Sequence, residues 1–226
     1  MSKAVTLLGM SGAGKTHFSQ RLAEWGWTHY SNDFEIAKRL GIEVSVDDLS
    51  ALSSFIGQIG DETKGGSPLD EFKRRQQMYI DAEMDVLRDM GASISDAPFV
   101  NDSTGSFCEI PDEELISQVA EKTKLVYIET DEASHKEVIA RAVQYPKPLY
   151  FPPEKLDEWL QQYCTVYMEE PSWLDPNDFS AWVFPKLFES RLPKYERLAR
   201  EYGVKVSAKD LHACQSEAQF LELIDG

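Results

Sequence analysis

Short apolar runs along this chain alternate with longer stretches in which apolar residues recur every three or four positions. Ala4–Leu8 is apolar except at Thr6, and residues 94–101, 124–130 and 204–207 are rich in apolar side chains. Runs this short read as strands buried on both faces. A fifth run, Thr28–Ser31, is shorter and more polar. The intervening stretches have helical spacing. Residues 15–25 carry Phe18, Leu22 and Trp25 on one stripe. Leu69–Met90 carries Phe72, Met78, Tyr79, Met84 and Leu87, and Gly91 follows it. Residues 111–122 open with Pro-Asp-Glu-Glu, a good helix start. Strands alternating with helices predict a three-layer α/β fold, with a five-stranded parallel sheet covered on both faces.

Two regions interrupt the alternation. Residues 42–68 hold Gly57, Gly60, Gly65 and Gly66 around one short helical stretch, and they read as mobile. Residues 145–182 are rich in proline and aromatic residues, with a helix at 154–170 that turns Leu156, Trp159, Leu160 and Tyr163 inward. An insertion of this kind between the fourth and fifth strands reads as a lid or a substrate region. The length of 226 residues suits one domain, 1–226, carrying these two insertions.

A net charge of −16 disfavours nucleic acid and anionic membranes as partners. No apolar run approaches the length of a membrane span. Cys108, Cys164 and Cys214 are scattered and form no CxxC pair, which fits a reducing compartment; a cytoplasmic protein is expected. His17, His29, His135 and His212 show no metal-ligand spacing and read as surface or internally satisfied residues.

The sharpest signal is Gly9-Met10-Ser11-Gly12-Ala13-Gly14-Lys15-Thr16, a complete G-x-x-x-x-G-K-[ST] between an apolar strand and an amphipathic helix. Its glycines let successive N–H groups converge on an anion, and the helix adds its positive dipole end. Lys15 places a charge on the outer phosphates of ATP, and the Thr16 hydroxyl is a ligand for Mg²⁺. A second apolar run ends in Asp102-Ser-Thr-Gly105, where a carboxylate would serve the magnesium; an ordinary Asp-Ser turn is the alternative. Asp33 follows the short strand at 28–31. There it suits an acceptor hydroxyl, as orienting group or base, and it also suits an N-cap for residues 34–40.

With these residues in place, the chain resembles shikimate kinase and its relatives among the small-molecule kinases. The resemblance runs through the loop, the Tyr30-Ser-Asn-Asp33-Phe-Glu stretch, Ala140-Arg141, Lys147-Pro148-Leu149, and Arg191-Leu-Pro193-Lys-Tyr195. It implies a sheet order of 2-3-1-4-5. It also implies that Arg141 lies against the nucleotide, that Lys147 closes from the lid, and that Asp33 and Arg191 hold the substrate. The departures fall on substrate contacts. Ser31 stands where the family has the first acid of Asp-x-Asp, and Lys147 stands for a lid arginine. The register of the family's Phe-Arg-x-x-Glu helix gives Tyr79-Ile80-Asp81-Ala82-Glu83, without the arginine.

The expected activity is ATP- and Mg²⁺-dependent phosphoryl transfer to a hydroxyl of a small anionic metabolite. Lys15, Asp33 and Asp102 are the catalytic candidates. The alternative is a nucleotide-dependent ATPase or binding module with weak or lost transfer. Arg141 also fits an ordinary surface charge, and Arg191 also fits a pair with Glu189 or another acid.

Overall fold

The computed structural model describes residues 3–46 and 48–225. Met1, Ser2, Asp47 and Gly226 belong to the span read as one domain, and Asp47 to its first insertion; all four lie outside the described residues. The strands are β1 (Ala4–Leu8), β2 (Thr28–Ser31), β3 (Phe99–Asp102), β4 (Lys124–Glu129) and β5 (Gly203–Ser207). They form one parallel sheet in the order β2-β3-β1-β4-β5. The helices are α1 (Lys15–Glu24), α2 (Asn32–Arg39), α3 (Ser50–Ile56), α4 (Leu69–Met90), α5 (Glu113–Lys122), α6 (Glu132–Gln144), α7 (Pro153–Tyr167), α8 (Pro176–Tyr202), α9 (Ala208–Ala213) and α10 (Glu217–Asp225).

Alternation along the strands sorts the core into two faces. Val5, Leu7, Val100, Val126 and Val206 meet Phe18 and Leu22 of α1, Leu211 of α9 and Phe220 of α10. Ala4, Leu8, Phe99, Leu125 and Tyr127 meet α2, α4, α5 and the end of α8. This is the expected three-layer α/β fold. The third strand is shorter than its apolar run. Pro98 has no N–H for a ladder, and its carbonyl instead accepts from Thr28 N at 2.7 Å, so pairing begins at Phe99.

The two irregular segments pack on each other. Ile59 and Phe72 join Phe151, Trp159, Leu160, Tyr163 and Phe179 in a separate small core. Gln58 Nε2 donates to Ser180 Oγ (2.9 Å) and to Pro176 O (3.2 Å), and Asp61 N donates to Leu174 O (2.9 Å). The glycines read as signs of mobility serve close approach here: a Cβ on Gly60 would stand 2.5 Å from Leu174 O. Gln76 pins the strip before α7 from both sides. Its Nε2 donates to Leu149 O (3.0 Å), and its Oε1 accepts from Phe151 N (2.8 Å). Segment 145–182 does not end as a separate body, because α8 begins at Pro176 and continues past its expected boundary to Tyr202.

Candidate functional site

The loop after β1 turns through Gly9, Gly12 and Gly14 at φ 149°, 87° and 88°, conformations that L side chains rarely adopt. Gly14 caps α1 without a side-chain hydrogen bond, and the first turn of α1 holds no acidic residue. No side-chain cap therefore takes the amides at this helix start, which suit an anion. Lys15 is buried and folded back on its own loop, donating to Gly9 O (2.7 Å) and Met10 O (3.3 Å). Burial lowers its proton affinity, while the charges of Asp102 and Asp33 work in the opposite direction.

Asp102 ends β3, and Asp33 stands in the first turn of α2, just after the neighbouring strand β2. Asp102 is in register with Leu7 of β1 and Ser31 of β2. It is buried, and its Oδ1 has no hydrogen-bond partner. His29 Nε2 is 3.8 Å from Oδ2, too long for a hydrogen bond. Asn32 is fully buried with both amide atoms unpartnered. The N-cap role open to Asp33 in the sequence is taken by Ser31, whose Oγ accepts from Phe34 N at 3.4 Å. The Asp33 carboxyl is pushed up to about 6 by burial and then by Asp102, against Lys15 and a hydrogen bond from Tyr79.

Beyond Tyr79 lies a buried polar group. Tyr79 Oη and Ser106 Oγ are 3.4 Å apart, Ser106 Oγ donates to Glu83 Oε2 at 3.0 Å, and Thr104 Oγ1 donates to Glu83 Oε1. Burial pushes the Glu83 carboxyl up to about 7, against the bonds from Thr104 and Ser106.

The residues fit a magnesium ion. Thr16 lies at the surface at the start of α1, and Asp102 offers an oxygen with no partner in the protein. Among the described residues no group of three or more His, Cys, Asp or Glu gathers as a metal cage. Mg²⁺ commonly takes few protein ligands and keeps water and phosphate oxygens.

The resemblance gave Arg191 to the substrate, and the residues left a pair with Glu189 or another acid open. The side chain is buried and pairs with an acid. Its Nε donates to Glu109 Oε1 (3.1 Å), and its two terminal nitrogens donate to Gly105 O and Tyr150 O (2.9 Å each). Glu109 also pairs with Lys194. The acid partner is Glu109, not Glu189. Tyr195 Oη donates to the same Gly105 carbonyl at 3.1 Å.

Two cavities flank the loop. The larger, about 670 Å³, is bordered by Ser11 and Gly12 and by Arg141 and Lys147. A Cβ on Gly12 would lie 3.6 Å from the Arg141 guanidinium. Lys15, Asp33, Asp102 and Arg191 do not line this cavity. The smaller, about 240 Å³, is bordered by Glu129, Asp131, Ser207, Lys209 and His212. A Cβ on Gly14 would collide with the His212 ring, so this histidine covers the start of α1. His212, Ser53 and Ser180 carried no sequence signal. Their place depends on chain returns from β5, α3 and α8 that no local pattern announces.

No protein-family model matches the chain, and no curated protein matches it. Among solved structures it is similar to a shikimate kinase from Bacteroides thetaiotaomicron, at 14% identity over 98% of this chain and 93% of that one, with a TM-score of 0.49. It is also similar to a shikimate kinase from Acinetobacter baumannii solved in complex with shikimate (17% identity, 99% and 89% covered, TM-score 0.47). A gluconokinase from Sinorhizobium meliloti is similar at 14% identity, with 98% and 89% covered and a TM-score of 0.40. The sheet order and the phosphate loop stand on this chain's own geometry.

Proposed function

We propose that this protein binds ATP with Mg²⁺ and transfers a phosphoryl group to a hydroxyl of a small molecule. One observation carries the reading. Lys15 shares the base of a complete phosphate loop with Asp33 and with Asp102, whose buried Oδ1 has no protein partner. A buried carboxylate oxygen left bare is costly unless a cation or its water shell meets it.

In this reading the amides of Gly9, Met10, Ser11, Gly12, Ala13 and Gly14 and the start of α1 hold the phosphates. Lys15 leaves its loop carbonyls for the outer phosphates. Thr16 and Asp102 hold the magnesium, which when bound neutralises phosphate charge. Arg141 overhangs Gly12, and Lys147 stands at the rim beside it, placed to close over the transferring group. Asp33 orients the acceptor hydroxyl and takes its proton, a role that a carboxyl held near pH 6 can fill. Positioning and charge neutralisation supply the rate, as in other phosphoryl transfers. The smaller cavity, bordered by Glu129 and Asp131, suits the hydroxyls and N–H groups of a nucleoside better than phosphates.

Calorimetry with ATP and MgCl₂ tests the nucleotide site. Lys15→Ala should weaken binding about a hundredfold, the scale of a lost charge-assisted contact. Unchanged affinity would remove the assignment. Asp102→Asn should reduce the magnesium-dependent part of binding and leave metal-free binding nearly intact.

A second reading has its own support. Val166, Tyr167, Met168 and Trp173 are exposed together around the turn between α7 and α8. Such a patch suits a protein partner, as in a nucleotide-dependent binding module. ADP release stimulated by small hydroxy compounds supports the kinase. A slow release that no small molecule changes supports the module.

A further inference from the structure

His29 reads in the sequence as a surface or internally satisfied residue, and in the fold it is neither. Its side chain keeps 14% of its exposure, and its Nε2 is buried without a hydrogen-bond partner. A buried ring nitrogen left bare is costly, and such exceptions call for a reason.

The sheet fixes where this ring goes. β2 is an edge strand, with His29 in register with Val100 and Ser31 in register with Asp102. Side chains alternate along a strand, so His29, Ser31, Val100 and Asp102 share one face. That face meets α1, because Val100 packs with Phe18 and Leu22. Tyr30 takes the opposite face, with its ring against Phe99 and its hydroxyl donating to Val86 O at 3.4 Å. From two positions before Ser31, the imidazole reaches diagonally across the sheet, and Nε2 stands 3.8 Å from Asp102 Oδ2. Among the described residues, His29 is the one basic side chain within 4.0 Å of this carboxylate. Lys15 turns its ammonium to the carbonyls of Gly9 and Met10 instead.

The two oxygens of Asp102 therefore differ. Oδ1 is buried without a partner, and Oδ2 faces an imidazole. A carboxylate turns easily about its last torsion. One that serves a metal is ordinarily held by a hydrogen bond on another of its lone pairs, and such outer partners set metal affinity.

We propose that His29 is a positioning residue of the magnesium site: its Nε2–H holds Oδ2 of Asp102 and so leaves Oδ1 to the metal or its water shell. Closure by about 1 Å or less brings the pair into hydrogen-bond range. The neutral ring with its proton on Nε2 and the charged ring both make this bond, so the role involves no change of protonation. The inference rests on the proposed site for ATP and Mg²⁺ and adds the residue that aims its carboxylate.

Calorimetry of ATP binding, in EDTA and across a MgCl₂ series, gives the metal-free affinity and the MgCl₂ concentration at half of the metal-dependent gain. His29→Ala should leave the metal-free affinity within about twofold and raise that concentration about tenfold, the scale of a lost outer partner of a metal ligand. His29→Gln carries an amide N–H at similar reach and should bring the concentration back to within about threefold of the unaltered protein. In an Asp102→Ala background, His29→Ala should change it by less than about twofold, because the group it aims is gone. If His29→Ala does not fold by circular dichroism, His29→Phe keeps a ring without the N–H, and the same rise is expected of it. An unchanged magnesium requirement, a glutamine variant no better than alanine, or the full rise in the Asp102→Ala background would each overturn the inference. So would equal losses of ATP affinity with and without metal, the mark of a residue that only packs the edge strand. Failure of the proposed function looks different: the unaltered protein itself would bind no ATP, or bind it equally with and without MgCl₂.

Discussion

Glu83 is a fully buried acid whose hydrogen bonds come from two hydroxyls, not from a cation. Burial raises its carboxyl from an ordinary 4.5 to about 7, and the two hydroxyls only partly offset this. The unfolded chain loses this proton near pH 4.5, while the native protein keeps it to about 7, so stability falls across that interval and levels off above it. Glu83→Gln keeps the shape and removes the charge. Urea denaturation should find it more stable than the parent by roughly 2–3 kcal/mol at pH 8, with no gain at pH 4.5. Arg191 makes the opposite case. Lysine in its place keeps the charge but cannot serve Glu109, Gly105 and Tyr150 together. Arg191→Lys should lower stability by about 2–4 kcal/mol in the same measurement. Both results bear on what was legible beforehand. The loop residues 9–16 were readable because their chemistry is local. The partner of Arg191 is 82 positions away, and no periodicity points to Glu109.

At the scale of elements, the strands were readable where burial on both faces makes them mostly apolar, as in Ala4–Leu8. The reading failed at residues 94–98, which bend outside the sheet with Ser95, Asp96 and Ala97 exposed, and where Pro98 delays the ladder. It failed again in segment 42–68, where glycine marks tight contact, which sequence cannot tell from looseness. Gly60 tests the contact. It sits at φ 143°, and any Cβ there meets Leu174 O. Gly60→Ala should cost about 1–3 kcal/mol in urea denaturation by parting the two segments. Its calorimetric affinity for ATP should stay within twofold, since the junction lies away from the loop.

Taken whole, the molecule holds its charge unevenly. Surface ion pairs neutralise many lysines and arginines locally, but the surplus of acids remains and repels itself. Raising NaCl from 50 to 500 mM should therefore increase stability, by on the order of 1 kcal/mol, although it weakens individual surface pairs. The long helix α8 has a further effect at this scale. Its Phe179, Val183 and Leu187 belong to the small core of the two irregular segments, and its Tyr195, Leu198 and Ala199 to the core under the sheet. Pro185, within the first anchorage, and Pro193, between the two, each remove one rung of its hydrogen-bond ladder. A rod fastened into two bodies makes their melting a single event. Neither core can dissolve without stripping half of a helix that the other still needs. A cavity-forming change such as Trp159→Ala should then lower the midpoint of one cooperative transition without splitting it in two, and it should loosen β5, the strand that α8 delivers to the sheet, as surely as it loosens the segment where the tryptophan sits.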